Sequence, residues 1–207
     1  MRPQKRLKCP APPNKVEHWT RLWLATLERN PNAQFHWPNM AKKRTLSELF
    51  RPVLEQMTQN HCSYCDGFPL GALSMKTIDH FRPRTRFPEL AFAWANLFLA
   101  CQRCQMLKSD QFKEILLKPD ERGYRFRDYF VYYTLSGDLQ PDYTRPAEIQ
   151  ERAAETIRCF QLNAPELRAD RKRWFRIQAA LQAAGKGLEL DALPYRYLFE
   201  AMGTWEI

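Results

Sequence analysis

Long hydrophobic runs are absent from this sequence, and its apolar stretches fall well short of the roughly 18 residues that a transmembrane helix requires. The N-terminus is basic but no apolar segment follows it, so we expect neither a secretory signal nor a membrane partner. No repeat or low-complexity segment is visible, and no G-x-x-x-x-G-K-S/T run supplies a phosphate-binding loop for a nucleoside triphosphate. These absences exclude a membrane-spanning protein and a P-loop ATPase, and they predict a cytoplasmic protein.

What remains is the composition of a folded, basic protein. Its 207 residues suit one compact unit, and a hydrophobic content of 44% is enough for a sizeable core. Lys and Arg outnumber Asp and Glu by 32 to 23, which gives a formal net charge of +9. This sign of charge favours a polyanionic partner such as DNA or RNA, although a merely basic soluble protein would show the same excess.

Hydrophobic periodicity and turn signals predict helices separated by a few short strands. Thr45 and Glu48 form a capping-box pattern, and Asn163 is a candidate N-cap. The predicted helices lie at 15–29, 45–57, 101–110, 147–160, 165–184 and 191–202, with a strand at 75–81 and a hairpin at 124–139. We divide the chain into an N-terminal helical region, a central core, and a hairpin with C-terminal helices, at 1–60, 61–115 and 116–207.

Four of the six cysteines form two Cys-x-x-Cys pairs, which are Cys62 with Cys65 and Cys101 with Cys104. Two such pairs supply the four thiolates that zinc prefers in a tetrahedral structural site. Since four protein ligands leave no open position for water, we expect this zinc to hold the fold together. His61 adjoins the first pair and is an alternative ligand, although a packing role fits it better.

Asp79, His80 and Asn96 lie between the two cysteine pairs. A neutral imidazole can accept a proton at physiological pH, and a carboxylate can bind a hard divalent cation. Neighbours on a regular strand face opposite sides, so both side chains serve one site only if the strand ends or bulges there. Pro83 fits such an ending. An isolated Asp-His pair is weak evidence, but its place between the cysteine pairs strengthens it.

These segments resemble the HNH endonucleases of ββα-metal type. The similar runs are Cys62-Ser-Tyr-Cys65, Ile78-Asp79-His80-Phe81-Arg82-Pro83, Asn96-Leu97 and Cys101-Gln-Arg-Cys104-Gln105-Met-Leu-Lys108. Together with Leu162-Asn163-Ala-Pro-Glu-Leu167, they are more narrowly similar to the PtuB family, the HNH component of Septu and some retron anti-phage systems. The resemblance implies an α+β fold, mainly α, with a small ββα-metal core held by a four-cysteine zinc.

The resemblance also implies roles and partners. His80 would be the general base, Asp79 and Gln105 would bind a catalytic Mg²⁺ or Mn²⁺, and Asn96 would position the His80 loop. A PtuA-like ATPase would be a partner, with a retron reverse transcriptase and its small DNA as further candidates. Cleavage would leave 5′-phosphate and 3′-hydroxyl ends.

One residue departs from the HNH pattern, which has His or Asn directly after the last cysteine. Gln105 occupies that position and carries one more methylene than Asn. Asp110 lies five residues further on, off the Gln105 face of a helix, and is therefore predicted to be a poor substitute ligand. An impaired or partner-dependent metal site is the alternative to full activity.

Four basic residues near the Asp-His pair are candidates for contacts with the nucleic-acid backbone: Arg82, Arg84, Arg86 and Lys108. The three arginines alternate, so in an extended segment they would share one face beside the scissile phosphate. A solvated loop is the alternative interpretation.

Two function classes follow from the sequence. The first is a metal-dependent HNH endonuclease acting as the effector of an anti-phage complex. The second is a catalytically impaired, zinc-stabilised nucleic-acid-binding or adaptor subunit, and a free-standing restriction-like enzyme is a weaker third. The sequence does not separate DNA from RNA as the substrate.

Overall fold

A computed structural model describes residues 1–40, 44–72 and 74–201. Six α-helices and four strands are assigned within these ranges. The helices are α1 Pro13–Arg29, α2 Leu46–Thr58, α3 Gln102–Lys108, α4 Ala147–Cys159, α5 Pro165–Ala183 and α6 Arg196–Ala201. The strands are β1 Lys76–His80, β2 Leu97–Cys101, β3 Phe130–Tyr133 and β4 Asp138–Pro141. The mixed α+β class, mainly α, agrees with the sequence prediction.

The centre of the fold is an antiparallel strand pair followed by a helix. β1 pairs with β2 so that Asp79 faces Phe98 and His80 faces Leu97 across the ladder. Every residue of β2 is buried, as expected for a continuous apolar run that packs on both faces. β2 ends at Cys101, whose Sγ accepts a hydrogen bond from the backbone N–H of Cys104 at 3.4 Å and caps α3.

The buried apolar residues form one cluster that draws on all three regions of the chain. Phe50 of α2, Phe98 of β2 and Phe160 after α4 are each fully buried within it. Tyr64 stacks on Phe160 with ring centroids 4.1 Å apart, which joins the first cysteine pair to the C-terminal helices. The strand pair therefore lies inside a shared core, and Lys76 and Thr77 at the start of β1 are its partly exposed residues.

Several predicted boundaries are confirmed and others are corrected. The capping box at Thr45 and Glu48 forms, and β1 ends at His80. The helix predicted to reach residue 110 ends at Lys108, because Ser109 adopts a positive φ of 44°. The helix predicted at 191–202 is a 3₁₀ turn at Leu190–Ala192 followed by α6, and its predicted end at residue 202 lies outside the described residues.

Asn163 is not the N-cap of α5, which is Ala164. Its side chain instead accepts from the backbone N–H of Leu139 at 2.8 Å and donates to the carbonyl of the same residue at 2.6 Å. The buried guanidinium of Arg171 donates to the carbonyls of Gly137 and Leu162. These bonds attach the β3–β4 hairpin to α5 and explain why Asn163 is unavailable as a cap.

Across the described ranges, no helix combines the length and apolar character that crossing a bilayer requires.

Candidate functional site

The four paired cysteines meet in one buried cluster. Their sulfur atoms all lie within 4.8 Å of one another, and the Sγ atoms of Cys65 and Cys101 are 3.8 Å apart. A tetrahedron of zinc–sulfur bonds of about 2.3 Å places its sulfurs about 3.8 Å apart. The donor set and its spacing therefore fit a metal such as zinc.

Backbone N–H groups point at these sulfurs, as they do around thiolate ligands. Gly67 donates to Cys65 Sγ at 3.4 Å, and Cys101 donates to Cys62 Sγ at 3.3 Å. His61 is not part of the cluster. Its ring nitrogens face the backbone carbonyls of Thr58, Gln59 and Leu193, and its ring stacks on Phe68.

His80 is the last residue of β1, and a backbone carbonyl holds its imidazole ring. Its Nε2 lies 2.9 Å from the carbonyl oxygen of Ala91. Because a carbonyl only accepts, Nε2 must carry the proton, and in the neutral imidazole Nδ1 then keeps its lone pair. No residue in the described part of the chain forms a hydrogen bond with Nδ1. The ring is therefore fixed as a base whose free nitrogen is Nδ1.

Two aromatic rings from the loop between α1 and α2 hold the imidazole. Trp37 stacks on His80 with ring centroids 5.7 Å apart and an interplanar angle of 14°. Phe35 meets the same ring edge-on at 5.5 Å. Burial lowers the pKa of His80 to about 4, with smaller contributions in the same direction from Arg84 and Lys108, while the bond to Ala91 opposes them. The imidazole is consequently neutral at physiological pH.

Asp79 is buried beside His80 and is anchored through one oxygen. Its Oδ2 accepts from the hydroxyl of Tyr64 at 2.6 Å and lies 3.1 Å from Nζ of Lys108. Burial raises the pKa of Asp79, although Lys108 and Tyr64 act in the opposite direction. Within the described ranges no hydrogen bond engages Oδ1. One carboxylate oxygen is thus fixed by the protein and the other is left for a ligand.

Lys108 does not face solvent, which corrects its predicted role as a contact to the nucleic-acid backbone. Its side chain is fully buried, and Nζ donates to the carbonyl of His80 as well as pairing with Asp79. α3 places it there because Cys104 and Lys108 lie one turn apart on the buried face. Its role is to neutralise Asp79 and to fix the end of β1.

We expect Lys108→Ala to lower the free energy of unfolding by about 3–5 kcal/mol, because it leaves the buried carboxylate of Asp79 without its cation. Chemical denaturation measures the change. Lys113→Ala is the matched control, since Lys113 pairs with Glu155 at 3.0 Å but its own side chain is 58% exposed. The control should lose about 1 kcal/mol or less. Equal losses in the two variants would contradict this account of Lys108.

Asn96 joins the two segments that position His80. Its Oδ1 accepts from the backbone N–H of Arg82 at 2.8 Å, and its Nδ2 donates to the carbonyls of Arg82 and Leu90 at 3.0 and 3.2 Å. Leu90 directly precedes Ala91, whose carbonyl holds the imidazole. A single buried amide thus joins the turn after His80 to the segment that carries the Ala91 carbonyl.

Asp79 and His80 open onto a surface depression of about 260 Å³. Both line it because β1 ends at His80 and the chain turns there. The other residues that line it are Pro83, Arg84, Gln105, Met106, Ser109 and Asp110. Gln105 donates from Nε2 to the carbonyl of Ile78 at 3.2 Å, which leaves its amide oxygen for a ligand. Oxygen donors of this kind suit a hard cation such as Mg²⁺.

Asp110 also lines this depression, so the argument that placed it off the Gln105 face is wrong. The predicted helix ran through residue 110, whereas α3 ends at Lys108. The positive φ of Ser109 turns the chain and brings Asp110 to the same opening.

The three arginines after His80 do not share one face, because residues 81–87 form turns rather than an extended segment. Arg82 pairs with Glu114 at 2.7 Å, and Arg86 donates to the carbonyl of Phe112 at 3.1 Å. Arg84 alone of the three lines the depression, with its guanidinium 4.7 Å from the ring centroid of Phe35. Among these arginines, Arg84 is the one placed to meet a ligand there.

Sequence reasoning missed Tyr64, Trp37 and Phe35. Tyr64 lies between the two cysteines of the first pair. This position was the sequence signal that its side chain could reach the core beside the cysteine cluster. Trp37 and Phe35 lie more than 40 residues before His80 in the chain, and nothing local in the sequence pairs them with it.

Comparison with known proteins gives a partial likeness. No protein-family model matches the chain. Over 69 residues the chain is 32% identical to the Septu protein PtuB of Bacillus thuringiensis. The matched segment covers 32% of this chain and 27% of that protein. The chain is thus similar to PtuB over about a third of its length.

Proposed function

We propose that the protein is a metal-dependent HNH-type endonuclease that hydrolyses phosphodiester bonds in nucleic acid. One observation carries the proposal. His80 and Asp79 line the same depression, and the Ala91 carbonyl fixes the proton of His80 on Nε2, which leaves Nδ1 as the base. The β1–β2–α3 order next to four clustered cysteines supports the ββα-metal interpretation of this site.

In this proposal the four cysteines hold a structural zinc. Cys101 both ends β2 and caps α3, so a metal on its sulfur fixes the strand that pairs with His80 and the helix that carries Gln105. Structural zinc sites contribute on the order of 10 kcal/mol to folding. The zinc would thus maintain the site without taking part in the reaction.

The residues that line the depression have separate roles in the proposed reaction. Nδ1 of His80 removes the proton from the water that attacks phosphorus, and the bond to Ala91 keeps the ring in the required tautomer. A divalent cation held by Asp79 and Gln105 would neutralise charge on the scissile phosphate and on the leaving 3′-oxygen. Asn96 keeps the His80 segment in place. The expected products carry 5′-phosphate and 3′-hydroxyl ends.

The similarity to PtuB supports a role in a Septu-like anti-phage system. A PtuA-like ATPase would then supply the nucleotide-dependent control that this sequence lacks. A retron reverse transcriptase with its small DNA is a further candidate partner.

Incubation with plasmid, single-stranded DNA and tRNA in Mg²⁺ or EDTA tests the proposal. Cutting that EDTA abolishes, with 5′-phosphate ends, supports the nuclease. Binding without cutting in every metal supports the alternative of a nucleic-acid-binding or adaptor subunit, for which Gln105 is the main argument.

We expect Asp110→Asn to raise the Mn²⁺ concentration for half-maximal cleavage roughly 10-fold, because a second carboxylate at the opening strengthens cation binding. Calorimetric titration of Mn²⁺ into the protein and into the variant measures the same change without cleavage. Glu28→Gln, which removes an exposed carboxylate of α1, is the control. An unchanged Mn²⁺ dependence would remove Asp110 from the metal site.

A further inference from the structure

A second open cavity, of about 630 Å³, lies beside the depression that contains His80. Trp23 of α1, Ala33 and Phe35 of the following loop, and Arg84 are among its walls. Its volume falls within the range of roughly 300–1,000 Å³ that is typical of ligand sites. Its position next to the proposed reaction centre makes it a candidate binding site for part of the substrate.

Two residues connect this cavity with the depression. Arg84 lines both of them. Phe35 contacts Trp23 edge-on at 5.4 Å on the cavity side and His80 edge-on at 5.5 Å on the other. One aromatic ring therefore separates the two spaces, and a ligand bound to Arg84 can reach into either.

The cavity walls match the chemistry of a nucleobase. Trp23 and Phe35 offer aromatic rings to the cavity. Bases stack on aromatic side chains of this kind. Arg84 adds a cation at the boundary, where the phosphate that links two nucleotides would pass.

We propose that this cavity receives an unstacked base of a nucleotide adjacent to the scissile phosphate, so that the site favours single-stranded nucleic acid. The inference rests on the proposed function, because it takes the scissile phosphate to lie beside His80. A duplex reaches the same arrangement only by unpairing and unstacking a base, which costs free energy. A single strand has no base pair to break.

Binding is tested in the His80→Ala background with Ca²⁺, so that nothing is cut. The probes are short single-stranded DNAs that carry 2-aminopurine at each position in turn, and the same strands paired in duplex. We expect Trp23→Ala to weaken single-strand binding about 5- to 150-fold, the range that loss of one stacked base gives. We also expect the fluorescence at one or two positions to depend on whether Trp23 is present.

Two further variants separate stacking from damage to the fold. Trp19→Ala removes an indole one turn away on α1, outside the cavity, and should leave binding unchanged. Ala33→Trp fills the cavity from the loop and should weaken single-strand binding while duplex binding stays the same. Single-strand affinity that neither Trp23→Ala nor Ala33→Trp changes would overturn the inference.

Cleavage assays distinguish failure of this inference from failure of the proposed function. If the wild-type protein cuts DNA but the Trp23 and Ala33 variants bind and cut single strands normally, the base site is wrong and the nuclease stands. If Trp23-dependent binding of single strands occurs without any metal-dependent cutting, the base site stands and the nuclease is wrong.

Discussion

His80→Ala should reduce metal-dependent cleavage by about 10²- to 10⁴-fold, the range that a positioned general base contributes. The reason is geometric, since His80 lines the depression with Nε2 committed to the carbonyl of Ala91 and Nδ1 left free. Single-turnover cleavage at saturating Mg²⁺ measures the loss. Nucleic-acid binding should remain, because the removed imidazole carries no charge at neutral pH.

His18→Ala is the control for this experiment, because His18 is exposed on α1, away from the depression. It should cut at the wild-type rate. A His80→Ala protein that still cuts at that rate would show that another group removes the proton, and the proposed mechanism would then be wrong.

Local sequence signals were sufficient for the first strand of the central pair and for its end, but the second strand was not predicted. Pro83 indicated that the strand predicted at 75–81 ends near His80, and β1 does end there. The apolar run Leu97–Cys101 was not recognised as its partner strand, although it is buried on both faces. Cysteine spacing alone predicted a four-sulfur cluster, and the structure brings the four sulfurs together. These features depend on neighbours in the chain and on a donor set that has few alternative uses.

Long-range contacts explain the errors. Lys108 is buried because Asp79, from a different element, is there to pair with it, and no local pattern marks a lysine as internal. Arg82 and Arg86 both turn toward the later segment that carries Phe112 and Glu114, whereas Arg84 lines the depression. Where tertiary partners decide the direction of a long side chain, alternation along the sequence has little predictive value.

Long-range contacts also fix the imidazole ring of His80. The imidazole is held by Ala91 from one segment and by Trp37 from a loop before α2, so two separate pieces of chain fix one ring. The motif identifies His80 as a candidate base, whereas the bond to Ala91 fixes its tautomer and burial lowers its pKa.

Cys62→Ser should abolish stoichiometric zinc and with it the cooperative unfolding transition of the protein. A structural zinc contributes on the order of 10 kcal/mol, comparable with the 5–15 kcal/mol that a domain typically has in total. Elemental analysis gives the zinc content, and thermal unfolding followed by circular dichroism gives the stability. We expect about one zinc per chain in the wild-type protein and none retained in the variant.

Cys159→Ser is the matched control, because Cys159 is equally buried but lies outside the sulfur cluster. It should keep its zinc and lose only the modest packing free energy of one buried thiol. The roles of the two metals can then be distinguished by removing both and returning each one alone. After chelation, Zn²⁺ should restore the fold and Mg²⁺ alone should not, whereas cleavage should need both. A Cys62→Ser protein that unfolds like the wild type would show that the four sulfurs do not stabilise the fold through a metal, and the ββα site would lose its physical basis.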